Sequence, residues 1–142
     1  MTITRGFAAA AMLAGLAVGT ASTAWSDTTM SGHYIRTVTN PTTGQSRTND
    51  WYFTPCGDGC ASVVSTGSPL GQARLVNGQW TMDATVDVPC TDGTVVPRAS
   101  QNHFTWDPNT LAGTTQVTDT LPVCGNPAGY QQTNNFQLRQ AP

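Results

Sequence analysis

The sequence predicts an all-β domain, an antiparallel up-and-down β-barrel of about eight strands with a lipocalin-like outline. Three observations lead there. Beyond residue 26, short runs of Val, Thr and aromatic residues alternate with Gly, Pro, Asn and Asp clusters, roughly every eight to twelve residues, and helical periodicity is missing. Within the runs, apolar residues recur with a period of two and on one side only, as in a sheet with one buried and one wet face. The same region holds all 4 cysteines, an even number suited to covalent stapling of a small domain. A two-sheet β-sandwich would satisfy the same alternation. Successive hairpins without a clear long crossover favour the barrel, which also removes unpaired edges.

The elements follow in order. Residues 32–39 form a first strand, ended by Asn40-Pro41, and residues 48–54 a second, ended by Pro55 and a cysteine turn. Residues 61–66 make a third strand, and Gly67-Ser68-Pro69-Leu70-Gly71 reads as a loop. Strands at 72–76 and 79–87 flank Asn77-Gly78, a strong hairpin signal because both central residues of a type I′ turn need φ > 0. Runs at 94–101 and 102–107 follow; their junction has no turn chemistry, and Pro97 belongs at an edge or a bulge. Asp107-Pro108-Asn109 turns the chain into 111–119, and a Pro- and Gly-containing segment leads to a last strand at 130–139.

Alternation defines the inward face. Trp51 and Phe53 share one side, as do Trp80, Met82, Ala84 and Val86, then Phe104 and Trp106, then Phe136 and Leu138. The intervening Tyr52, Thr81, Asp83, Thr85, Asp87, Thr105 and Gln137 are mostly polar and face out.

Residues 1–26 read as a secretory signal peptide and 27–142 as one disulfide-stapled domain. Arg5 supplies the positive n-region, residues 7–18 are almost uninterruptedly apolar, and Ala21, Ala24 and Ser26 suit signal peptidase. An apolar core of about a dozen residues falls short of the roughly 20 that span a bilayer, so cleavage and release are expected rather than a stable membrane span. Charged residues are 10% of the chain, the formal net charge is −2, and neither Glu nor Lys occurs. That balance argues against nucleic acid as a partner, which selects a basic footprint.

Cys56, Cys60, Cys90 and Cys124 allow three pairings. The Gly57-Asp58-Gly59 insert favours Cys56–Cys60, which leaves Cys90–Cys124 to tie a strand end to a late loop. A four-cysteine metal site lacks a second local knuckle, and no redox C-x-x-C is present, so neither a metal nor another cofactor is predicted.

These residues resemble a family. Gly32-His33-Tyr34, the run from Trp51 to Cys60, Asn77-Gly78-Gln79-Trp80, Cys90-Thr91-Asp92-Gly93, Phe104-Thr105-Trp106-Asp107 and Cys124-Gly125-Asn126-Pro127 together look like a group of small exported cysteine-containing β-domain proteins of mycobacteria and relatives. Similar modules form extracytoplasmic parts of membrane proteins, including some Ser/Thr kinases. The resemblance implies a secreted or cell-envelope domain and carries no catalytic residues. The early Gly-x-Tyr is also similar to the Gly-x-Trp of lipocalins.

Catalysis would need a base, and the two histidines are His33 and His103. Nothing like Gly-x-Ser-x-Gly sets a nucleophile on a sharp turn, and strand histidines on a polar face are ordinary, so no catalytic residue is predicted. Asp58, Asp83, Asp87 and Asp92 do not match a calcium-loop spacing; Asp58 and Asp92 precede glycines in turns. The set Trp51, Phe53, Trp80, Met82, Phe104 and Trp106 is the candidate ligand pocket, against the alternative that these side chains fill the core. An eight-stranded barrel has room for one or the other. The expectation is a secreted, non-enzymatic barrel that binds a small apolar ligand, an envelope lipid or a protein partner. A hydrolase of the envelope using His103 or aspartates, and a purely structural envelope protein, are the alternatives.

Overall fold

The computed structural model describes residues 29–142; the export signal read over 1–26 lies outside them. The described chain is a closed barrel of eight antiparallel strands in simple sequence order. They are β1 (Gly32–Thr39), β2 (Ser46–Gly57), β3 (Cys60–Ser65), β4 (Ser68–Val76), β5 (Gln79–Pro89), β6 (Val95–Trp106), β7 (Ala112–Asp119) and β8 (Gln131–Gln140). Closure is made by β1 against β8, from Tyr34↔Gln140 to Thr39↔Asn135. The barrel is therefore the correct architecture, and the sandwich is not.

Two expected elements differ. The runs at 94–101 and 102–107 are one strand, β6, paired along its length with β5 and β7. The irregularity falls earlier, where pairing shifts from Val86↔Ser100 to Val88↔Val96. This bulge contains Pro97 and Arg98, the latter at φ 52°, and Asp87 Oδ1 accepts the Arg98 N–H at 2.8 Å. A proline cannot donate to the ladder, so a bulge is where a strand tolerates it. The segment 67–71 is not a loop: Thr66 and Gly67 have φ of 47° and 80° and turn the chain directly from Ser65 to its partner Ser68. Pro69 lies at the neighbouring register shift. The Asn77-Gly78 hairpin has φ of 51° and 78°, as a type I′ turn requires.

One end of the barrel carries the Cys56–Cys60 and Asn77-Gly78 turns, the 107–111 turn and the C-terminus. Its interior is packed with rings. Trp51 is the hub, with the ring centroids of Phe53, Phe104, Trp106 and Phe136 at 6.0, 5.3, 5.9 and 5.7 Å. Trp80 stacks on Trp106 at 6.1 Å, and Met30 covers this end, its sulfur accepting the Trp106 indole N–H at 3.2 Å. Edge-to-face pairs of this kind are worth about 0.5–1.5 kcal/mol each beyond the area they bury. Gly113 makes the packing possible. A Cβ there would overlap the Thr105 carbonyl oxygen and lie 2.5 Å from Phe136 and 2.7 Å from Trp106.

The opposite end is formed by the 40–45, 66–67, 90–94 and 120–130 connections. Cys90–Cys124 straps the last two of these together, while Cys56–Cys60 closes the β2–β3 turn. Both bridges match the expected pairing. Two disulfides are consistent with an oxidising, extracytoplasmic location.

Candidate functional site

Trp51, Phe53, Trp80, Met82, Phe104 and Trp106 all point inward, as the alternation requires, and are between 0 and 3% exposed. They pack on one another in a single cluster. Of the six, only Trp106 borders one of the cavities described below, and that cavity lies on the outer wall. The ring-packed end is core, so the candidate site is built from what fills the other half.

There polar side chains join valines at the inward positions. β1 contributes Arg36 between Tyr34 and Val38, β2 contributes Asn49, β6 Ser100 and Asn102, β7 Thr115 and Asp119, and β8 Gln132 and Asn134. Arg36 is buried, at 6% exposure. Its guanidinium lies 4.8 Å from the Trp51 and Phe136 ring centroids and 5.2 Å from that of Phe104. Nη2 donates to Thr115 Oγ1 at 2.8 Å, Nη1 reaches Asn49 Oδ1 at 3.5 Å, and Nε has no partner among the described residues. Arg36 therefore sits where the interior changes from rings to amides.

The magnitudes show what this arrangement leaves undone. Burying an ion carries an effective penalty of several kcal/mol, whereas a desolvated cation–π contact returns about 2 kcal/mol or somewhat more. No carboxylate pairs with Arg36; the two ion pairs among the described residues join His33 to Asp50 and His103 to Asp83. Burial, with a lesser push from Arg47, pulls the Arg36 pKa well below the ordinary guanidinium range, to about 9. The side chain stays a cation at neutral pH, stabilised by neutral groups alone.

On the mouth side lies a recess of about 220 Å³, walled by Arg47, Asn102, Asp119, Gln132 and Asn134 together with the apolar Val86, Val88, Val117 and Val123, and bordered by Cys124 and Tyr130. A second recess of about 200 Å³ shares Arg47, Gln132 and Asn134 with it and extends to Val38 and Asn40. Arg36 lines neither recess but adjoins them through its partner Thr115, the register neighbour of Asn134. Recesses of this size fall below the roughly 300–1,000 Å³ of ordinary small-molecule sites. They suit a small molecule or one head group. Exposed Val95, Leu121 and Tyr130 lie at this same end.

The outer wall carries a different chemistry. His103 Nδ1 and Asp83 Oδ1 are 2.6 Å apart, joined across an in-register pair of β5 and β6. They border a shallow recess of about 310 Å³ with Thr85 and Thr118. His33 Nε2 and Asp50 Oδ1 meet at 2.8 Å, and the His33 ring stacks on Tyr52 at 4.5 Å. Three other aspartates act locally. Asp92 Oδ1 accepts from the Thr94 hydroxyl and N–H, Asp87 from Arg98, and Asp107 from the N–H groups of Asn109 and Thr110. A further recess of about 540 Å³ is an outer groove over β1, β6, β7 and β8 lined mostly by Thr, Asn and Gln.

Among the described residues no three His, Cys, Asp or Glu side chains group as a metal site, and no helix is long and apolar enough to cross a membrane. Comparison with protein-family models, with curated proteins and with solved structures found no match.

Proposed function

We propose that this protein is an exported, non-enzymatic binding barrel of the cell envelope or its surroundings, and that its ligand is a small amphipathic molecule held at the mouth. One observation carries the reading: the interior is solid with rings at one end and recessed at the other, where amides and charges stand among valines. A barrel that only had to be stable would fill both halves with apolar side chains, because buried polar groups are costly unless they are fully paired. The exposed Val95, Leu121 and Tyr130 at the same end supply an apolar rim for the rest of such a ligand. The disulfides and the resemblance to exported mycobacterial domains support the envelope as its place of action.

The test is a titration of the purified, oxidised protein with short-chain amphiphiles, followed by backbone amide NMR. Shifts should concentrate at Arg47, Asn102, Gln132 and Asn134. Their absence with every amphiphile would leave a structural envelope protein as the better description.

A hydrolytic reading is favoured by the Asp83–His103 pair, whose geometry suits a general base oriented by a carboxylate. The hydroxyls bordering that recess belong to Thr85 and Thr118, and neither bonds to His103. Loss of an ester- or glycan-cleaving activity in both His103→Ala and Asp83→Ala would establish this reading over the first.

A further inference from the structure

We infer that the mouth recess is a carboxylate receptor, in which the acid group of a small amphipathic molecule lies against the Asn134 and Gln132 amides with Arg36 beneath it and Arg47 beside it. This rests on the ligand-binding reading above and adds the chemistry of the ligand.

The first support is a one-sided shortage. The buried side-chain polar atoms without a partner among the described residues are all donors; Trp51 Nε1 and Trp80 Nε1 belong to the ring-packed core, and Arg36 Nε is the one at its boundary with the mouth half. Two of them belong to side chains in face contact, since the Arg36 guanidinium lies 4.8 Å from the Trp51 ring. Native interiors leave few such groups unsatisfied. What Arg36 requires is an acceptor, and no carboxylate pairs with it.

The second support is the placement of charge. Arg36 is buried without a carboxylate, and Arg47, on the wall of both mouth recesses, is close enough to repel it. A planar oxyanion between the two guanidiniums removes that repulsion and meets the fork geometry that arginine offers. The layer between them is amide-bearing, and amide N–H groups donate to the same anion.

The opposite wall sets the shape of the ligand. Asp119 is 6% exposed and borders the recess with Asp87. Asp87 is committed to the Arg98 N–H, but Asp119 accepts no side-chain bond from a described residue. A bare inorganic anion meets this like charge at the rim. A carboxylate on a neutral stem places its charge at the floor and its stem beside Asp119 and the exposed Leu121 and Tyr130.

The experiment is a set of titrations of the oxidised protein at fixed ionic strength with hexanoate, its neutral isostere hexanamide, acetate and inorganic phosphate. Amide shifts at Gln132 and Asn134 give the affinities. Hexanoate should bind at least about tenfold more tightly than hexanamide, which corresponds to about 1.4 kcal/mol. Acetate and phosphate should bind more weakly than hexanoate. Arg36→Met and Arg47→Gln should each reduce the preference for hexanoate over hexanamide. Because Arg47 is exposed, its variant decides the matter if Arg36→Met does not fold.

Equal affinity for hexanoate and hexanamide would overturn the carboxylate assignment and leave the ligand-binding reading standing. A preference that survives Arg47→Gln, and survives Arg36→Met where that variant folds, would do the same. Phosphate or acetate binding as tightly as hexanoate would overturn the amphipathic part. No response to any of the four would bring down both readings together.

Discussion

Asp92 and Asp107 spend their carboxylates on the chain itself. The Thr94 hydroxyl and N–H hold the Asp92 carboxyl below its ordinary value, and the N–H groups of Thr110 and Asn109 do the same for Asp107. On acidification the unfolded state then takes up these protons first, so the stability they contribute is present above the ordinary carboxylate range and lost as pH falls through it. The thermal midpoint should hold level from neutral pH to about pH 5 and then fall. In the Asp92→Asn/Asp107→Asn double variant that fall should be shallower, as thermal scans at successive pH values would show; an unchanged slope would rule these two turns out as its source. Arg36 is the residue that sequence reasoning misses. The alternation of Tyr34, Arg36 and Val38 does place it inward, but arginine is almost never fully buried unless paired, and Asp50, the acidic residue of β1 and β2, lies on the outward face and pairs with His33 instead. The partners that hold it, Thr115 and three rings, come from other strands and are invisible along the chain.

At the scale of elements, local chemistry was legible wherever a turn requires it. Asn77-Gly78 and Asp107-Pro108-Asn109 announce their connections because particular residues satisfy particular backbone angles. Thr66-Gly67 does not, since a threonine at positive φ is disfavoured and is held there by the pairing of β3 with β4. The split of β6 into two runs has a similar origin. The bulge that accommodates Pro97 and Arg98 takes up the irregularity, and the strand continues through Asn102 because both neighbours pair with it. The disulfides act on different loops, with sequence separations of 4 and 34. On loop-closure entropy, removing Cys56–Cys60 by paired Cys→Ser changes should cost roughly 2 kcal/mol and removing Cys90–Cys124 roughly 4 kcal/mol. Urea unfolding of the two double variants measures the difference, and the opposite order would mean that strain or residual unfolded-state structure outweighs loop length.

The whole molecule is a closed cylinder with two unlike halves. Closure gives every strand two partners, so no edge is left to template pairing with another chain. The ring-packed half should hold its backbone amides most tightly, because buried apolar contact is what resists local opening. Hydrogen exchange should therefore be slowest around Trp51, Trp80 and Trp106 and at least about tenfold faster around Arg47, Asp119 and Gln132. Uniform protection along the strands would show that the mouth is as rigid as the core and that opening is global.

By itself the sequence determined the all-β class, the inward face of most strands, the hairpin at Asn77-Gly78 and the pairing of the cysteines. Each of these depends on a side chain's own conformational limits or on a period of two that any sheet imposes. Only the tertiary structure decided that Trp51, Phe53, Trp80, Met82, Phe104 and Trp106 fill one end as core, and that Arg36 stands beneath an amide-lined recess at the other. Whether an interior is filled depends on the volumes of side chains from all eight strands meeting across the barrel, and no single strand contains that information.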